Sequence, residues 1–142
     1  MLFKNILVPH DGSSHSKHAF KVALDMAKKY NSKLSMVTVL DTSPGHWANS
    51  NLWENAIGGA RTLVKREFES FESAAKKAKV PFHSEVIESH STTKTIVSYS
   101  KSKKIDLIVM GAHGKTGLDK LILGSVSNSV VHRVRCPVLI VR

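Results

Sequence analysis

The sequence predicts an α/β fold in which five parallel strands form a sheet with helices on both faces. Three observations carry this expectation. Short apolar runs of strand length alternate with longer stretches of helical periodicity throughout the 142 residues. Each run is separated from the next by a segment long enough for the right-handed crossover that parallel neighbours require. One run, Ile105 to Met110 (IDLIVM), is apolar at every position but Asp106, as expected of a strand covered on both faces.

The first strand spans Phe3 to Pro9 (FKNILVP), with proline tolerated at its end. Ala19, Val22, Ala23, Met26, Ala27 and Tyr30 then fall on one helical face. Asp11, Ser13 and Ser14 are candidate caps for that helix, and Asn31-Ser32 ends it. Leu34 to Leu40 alternates with period two and forms the second strand. Residues 41–51 (DTSPGHWANSN) are turn-rich and longer than most connections, which marks a functional loop.

From Ala56 to Ala78 the apolar positions trace one long helix, weakened at Gly58-Gly59 and stopped before Pro81. Phe82 to Ile87 is a less regular strand, followed by a short helix over Thr92 to Ser102. After the buried fourth strand comes a glycine-rich loop. A last helix follows, with Val126, Val130, Val131 and Val134 as its apolar positions. Cys136 to Val141 closes the sheet. No repeat or linker divides residues 1–142, so a single domain is expected.

Composition narrows the class. Apolar residues make up 42% and charged residues 23%, which suits a globular chain rather than a disordered one. No apolar run approaches the roughly 20 residues needed to span a bilayer. The opening MLFKNILVP reads as a strand rather than a signal core, so a cytoplasmic protein with no membrane partner is expected. Cys136 stands alone, which excludes an internal disulfide and a thiolate zinc cage.

Lys and Arg number 21 against 11 Asp and Glu, a formal charge of +10. Residues 89–142 carry nine of the basic side chains and only two of the acidic ones. Such an excess suits a polyanionic partner, an anionic small molecule or simple solubility, and composition does not choose among them.

The segment GAHGKTGLDKLILGS, Gly111 to Ser125, carries the clearest chemistry. It lies between a buried strand and a helix, where open α/β sheets bind ligands. Glycines there let backbone N–H groups approach an anion, and the helix N-terminus adds partial positive charge. Ser125 and Ser127, in the first helical turn, are candidate hydroxyl donors to phosphate oxygens. Gly114-Lys115-Thr116 is not a P-loop, because position 109 is Val where that motif needs glycine. The G-x-x-G-x-x-G run is not the dinucleotide fingerprint either.

Gly111, Gly114, Gly124 and Ser125 fit G-x2-G-x9-G-[ST], which resembles the nucleotide-binding signature of the universal stress protein family. Pro9-His10-Asp11-Gly12-Ser13 is similar to that family's P-x-D-G-S, and Thr38-Val39-Leu40-Asp41 and the terminal CPVLIV extend the likeness along the chain. The resemblance implies a flavodoxin-like, adenine-nucleotide α-hydrolase-like sheet of order 3-2-1-4-5 with four helices. It also implies a homodimer through the last strand, ATP binding and a role in stress responses.

Carried onto this sequence, the resemblance places Gly111, Gly114, Gly124, Ser125 and Val126 around the ribose and phosphates, with Ser127 close by. Val39 would meet adenine through its backbone. Pro9 and Asp11 would lie beside the phosphates, Asp11 helping to hold Mg²⁺ because a carboxylate repels a triphosphate without a cation.

Other residues are weighed against plainer roles. His113, Lys115 and Lys120 lie in the glycine loop, His113 most simply as a solvent-facing residue. His10, His15 and His18 cluster without forming a zinc ligand set. Ser13 and Ser14 near His10, His15 and Asp11 contain the ingredients of a catalytic triad without its geometry. Trp47 and Trp53 lie where they would cover the adenine or fasten the loop. Cys136 reads as a small buried apolar residue.

The function expected is that of an ATP-binding stress-response and signalling module without a dedicated catalytic residue, slow hydrolysis or phosphate transfer aside. An ATP-cleaving nucleotidyl-transfer enzyme is the alternative, although the loop after the first strand lacks the S-G-G-x-D-S pattern. A nucleic-acid module ranks lower, because only the charge suggests it and the few aromatics fall mostly at core positions.

Overall fold

A computed structural model describes residues 2–42, 50–113 and 123–142, with the backbone alone for residues 50–53. Its elements are β1 (Asn5–Pro9), α1 (Ser14–Tyr30), β2 (Lys33–Asp41), α2 (Ser50–Lys77), β3 (Phe82–Ser89), α3 (Thr92–Ser102), β4 (Leu107–Gly111), α4 (Ser125–Arg133) and β5 (Val138–Val141). The five strands are parallel in the order β3-β2-β1-β4-β5, as expected.

The alternation of side chains along the central strands builds two cores. Ile6, Val8, Met36, Leu107 and Val109 face α1 and α2, where they meet Ala19, Phe20, Phe68 and Phe71. Leu7, Val37, Ile108 and Met110 face α3 and α4, where they meet Ile96, Tyr99 and Val130. All five residues of β4 are buried, because this strand has neighbours on both edges and helices on both faces. With α1 and α2 on one face and α3 and α4 on the other, the chain reverses its winding between β1 and β4. A crevice opens at the carboxyl ends of those strands.

Capping is local and chemically ordinary at α1 and α3. The Ser13 hydroxyl accepts the Ser16 N–H at the start of α1, and Asn31 ends the helix in the left-handed conformation at φ 58°. The Ser91 hydroxyl does the same for Lys94 at the start of α3. Of the three candidate caps for α1, Ser13 fills the position. The turn just before it bends through Gly12 at φ 85°, a conformation that favours glycine.

Several expected details shift. β1 begins at Asn5 because Phe3 leaves the sheet to pack edge-on against Tyr30, ring centroids 5.7 Å apart. α2 begins at Ser50, earlier than its apolar pattern suggests, and β5 begins only after Pro137, whose carbonyl accepts the Ile108 N–H. Leu63 is 61% exposed because it lies one residue, or about 100°, off the buried stripe through Ile57, Val64, Phe68, Phe71 and Ala75. Val131 is offset from buried Val130 in the same way. The turn-rich 41–51 segment falls mostly outside the described residues, as does Trp47.

The glycines of the chain differ in what they do. A Cβ built on Gly111 would lie 2.7 Å from the His15 Cβ and 2.9 Å from the His15 carbonyl carbon, whereas Gly58 and Gly59 face open space within a helix. Gly111→Ala should therefore cost about 1–3 kcal/mol through a forced shift of α1 against β4. Gly58→Ala should instead gain about 0.5–1 kcal/mol. Urea denaturation of the two variants checks this pair of opposite signs.

Candidate functional site

The crevice at the switch point is a cleft of about 420 Å³. Every site residue expected from the sequence, apart from Gly114, which lies outside the described residues, lines it: Pro9 and Asp11 after β1, Val39 on β2, Gly111 ending β4, and Gly124, Ser125, Val126 and Ser127 at the start of α4. The walls also include His10, Ser16, Val37, Met110, His113 and, from the start of α3, Thr92 and Ile96. The last two carry no local sequence signal. They arrive because the strand order brings each helix start to the same edge of the sheet.

The start of α4 differs from the other helix starts whose caps are described. Gly124 is its N-cap and offers no side-chain hydrogen bond, while Ser13 and Ser91 close α1 and α3. The Gly124 N–H donates to the Ala112 carbonyl at 2.8 Å and is occupied. The amides of Ser125, Val126 and Ser127 occupy the first turn, where an α-helix supplies no acceptor. They stand with the positive end of the helix dipole at the cleft, and the exposed Ser125 hydroxyl adds a donor. This end of the site is built to receive an anion.

Ser127 has another duty than the one its position suggests. Its buried hydroxyl donates to the Gly111 carbonyl at 2.8 Å, which spends the proton expected for a phosphate and ties α4 to the end of β4. At Gly111, likewise, His15 fills the space that a side chain would need, so the absence of a Cβ serves the packing of α1.

Asp11 sits at the rim, one Oδ1 accepting the Ser13 N–H at 2.9 Å. Burial pushes its carboxyl pKa up, but hydrogen bonds from Ser13 and Ser16 together with nearby His10 outweigh this and hold it below the usual value. Asp11 is therefore an anion at neutral pH, and it lines the cleft.

The universal stress protein family model matches residues 2–142. A universal stress protein of Methanocaldococcus jannaschii is 36% identical, the match covering 99% of this chain and 83% of that one. The chain belongs to the universal stress protein family. Among solved structures, the universal stress protein UspA of Lactobacillus plantarum superposes with a TM-score of 0.90 at 25% identity, covering 100% of this chain and 99% of that one. A universal stress protein solved in complex with cAMP has a TM-score of 0.74 at 22% identity, covering 100% and 98%.

In this universal stress protein the histidines are placed differently from what their spacing suggests. His113 is buried, not solvent-facing, and its ring meets His15 edge-on with centroids 5.4 Å apart. His18 hydrogen-bonds the Arg142 carbonyl through Nδ1 at 2.8 Å. His10 lies under Phe68 and Phe71, its Nε2 bonded to Glu67 of α2 and its Nδ1 2.9 Å from the Ser16 hydroxyl. Among the described residues no three His, Cys, Asp or Glu side chains group as metal ligands.

The Glu67–His10–Ser16 chain has the order of a catalytic triad but the placement of a structural anchor. A carboxylate only accepts, so His10 donates from Nε2 to Glu67. Ser16 is buried and its hydroxyl is shared with the Ser13 carbonyl and hydroxyl, within the capping turn of α1. The Thr38 hydroxyl donates to the His10 carbonyl at 2.7 Å, and the His10 N–H donates to the Val37 carbonyl. Together these bonds fix the turn that carries Asp11. The partners lie 57 residues apart, and nothing local in the sequence joins Glu67 to His10. Cys136 is partly buried against the α3–α4 core, and burial raises its thiol pKa, consistent with an apolar role.

Glu67→Ala should lower stability by about 1–3 kcal/mol by leaving a buried imidazole N–H unpaired. In the His10→Phe background the same change should cost about 1 kcal/mol less, a coupling read from a double-mutant cycle in urea. Strict additivity would contradict the anchor.

Proposed function

We propose that the cleft binds ATP and that residues 1–142 act as one nucleotide-dependent module of the stress response. The uncapped start of α4 carries this reading. Three first-turn amides, the helix dipole and the Ser125 hydroxyl converge where an anion would sit, at the edge of an apolar cleft. The binding of cAMP by a structure of the same fold supports an adenine nucleotide as the occupant. The unbroken spacing of Gly111, Gly114, Gly124 and Ser125 supports ATP in particular.

In this arrangement the phosphates lie against Ser125 and Val126, and the base lies between Val39 and the apolar wall of Val37 and Ile96. Mg²⁺ fits the residues present only when phosphate oxygens supply most of its ligands, with Asp11 as the protein carboxylate; this is a common pattern for that ion. The ion would offset the charge of the triphosphate. His10 and Ser16, the pair nearest to triad order, are engaged with Glu67 and the capping turn of α1, which supports a sensor rather than a dedicated enzyme.

Isothermal calorimetry with ATP and Mg²⁺ tests the reading. Saturable binding is expected, with little left in Gly124→Val, where an isopropyl group would occupy the phosphate end. No heat at about 1 mM nucleotide, a concentration that would reveal even about −4 kcal/mol of affinity, overturns it.

We also propose that the protein is a homodimer through β5. This strand is the outer edge of the sheet, Leu139 is 38% exposed on it, and Val131 is 39% exposed on the adjacent α4. Pairing with a second copy would cover that edge. Light scattering should give twice the monomer mass, falling to the monomer value in Leu139→Lys; a wild-type monomer at all concentrations contradicts it.

A further inference from the structure

We propose that the amino edge of the sheet, opposite the nucleotide cleft, is a docking surface for the phosphodiester backbone of nucleic acid. A parallel sheet gathers every strand start and every helix end at one edge, and the connections there are strongly basic. Lys4 precedes β1; residues 28–33 (KKYNSK) lead into β2, 76–79 (KKAK) into β3, 101–104 (KSKK) into β4, and 133–135 (RVR) into β5. Twelve of the 21 Lys and Arg residues lie in these five segments, and all twelve are exposed. The rest of the chain holds nine basic and eleven acidic residues, so these five segments account for the whole +10 excess.

Little on the protein neutralises this field. The carboxylate at the edge is Asp106, and both of its oxygens accept backbone N–H groups, of Lys4 and Asn5. Asp25 and Glu72 stand one helical turn further up. None of the twelve makes an ion pair with a described carboxylate. Four helix C-termini contribute about −0.5 each, which offsets roughly two charges and leaves the remainder. Capping of helix dipoles is therefore too small a purpose for so many cations.

The cations flank the whole edge, those at the ends of α1 and α2 on one face of the sheet and those at the ends of α3 and α4 on the other. Because each of the five connections contributes at least one, the basic residues follow the sheet edge at strand spacing, about 4.8 Å per step and about 19 Å in all. That length matches about six phosphates along one strand of a duplex. Two shallow clefts of about 410 and 430 Å³ open on the same edge, one flanked by Lys33 and Lys103 and the other by Lys101, Lys104 and Arg135. A protein partner fits less well, since lysine is depleted in protein interfaces. A lipid surface fits less well too, since among the described residues Leu2 and Tyr30 are the only exposed large apolar side chains on this face. With ten lysines and two arginines, the contacts would be to phosphate and independent of sequence.

Fluorescence anisotropy of the full chain with a labelled mixed-sequence duplex of about 20 base pairs, from about 50 to 200 mM salt, tests the proposal. Binding should weaken steeply with salt. Neutralising one lysine in each of three connections (Lys33→Gln, Lys77→Gln and Lys101→Gln together) should weaken it about tenfold or more and flatten the log–log salt slope by about two to three. Lys17→Gln, Lys21→Gln and Lys65→Gln together, all exposed and away from this edge, should change it less than about threefold.

ATP affinity should be the same in both triple variants, which separates this surface from the cleft. If the first triple does not fold, Lys77→Gln alone should flatten the slope by about one. No wild-type binding at about 50 mM salt, equal loss in the two triples, or binding to phosphatidylserine vesicles without binding to nucleic acid overturns the proposal.

Discussion

Three constraints meet at Gly111. Its missing Cβ lets the first turn of α1 approach β4 to within a carbon–carbon contact, its carbonyl accepts the Ser127 hydroxyl that seats α4, and its strand position pairs with Val141 of β5. The first contact brings the Asp11 turn beside β4. The second aims the free amides of α4 into the cleft. A side chain at this one position would push apart the two elements that face each other across the site, so the chemistry of the cleft rests on a packing condition.

The cleft itself shows how polar groups are divided between holding and binding. Ser13, Ser16, Thr38, His10 and Glu67 form a satisfied network that fixes the turn after β1. Ser127 is consumed in the same way on the other wall. What remains open on these walls is the start of α4, where the first-turn amides of Ser125, Val126 and Ser127 have no helical acceptor. Buried polar groups that lack partners are costly, so those left open in a folded protein mark where a ligand would supply them. The separation of this site from the basic edge follows from the same parallel topology: helix starts and carboxyl strand ends at one rim, helix ends and amino strand ends at the other.

Much of this was legible in the residues. Short apolar runs alternating with helical periodicity, the candidate cap Ser13 and the glycine spacing lead to the parallel sheet and the walls of the cleft, and the family resemblance leads to its strand order. Three features were not legible, each because it depends on distant segments meeting. Glu67 reaches His10 only when α2 packs across β1. His113 appears solvent-facing in a glycine-rich segment until His15 is placed against it. The charge excess appears to favour residues 89–142, near the glycine loop, yet in the fold it gathers from five separated connections at the far edge. Linear charge density was a poor guide because the topology, rather than proximity in sequence, decides which lysines are neighbours.

The central claim is that nucleotide phosphates are held by the uncapped first turn of α4. Backbone amide chemical shifts recorded during titration with ATP and Mg²⁺ test it most directly. The account predicts that the largest changes fall on Ser125, Val126 and Ser127, with those at Val39 and Asp11 next and none at the lysine-rich edge. Saturable shifts that leave the α4 amides unmoved would contradict it.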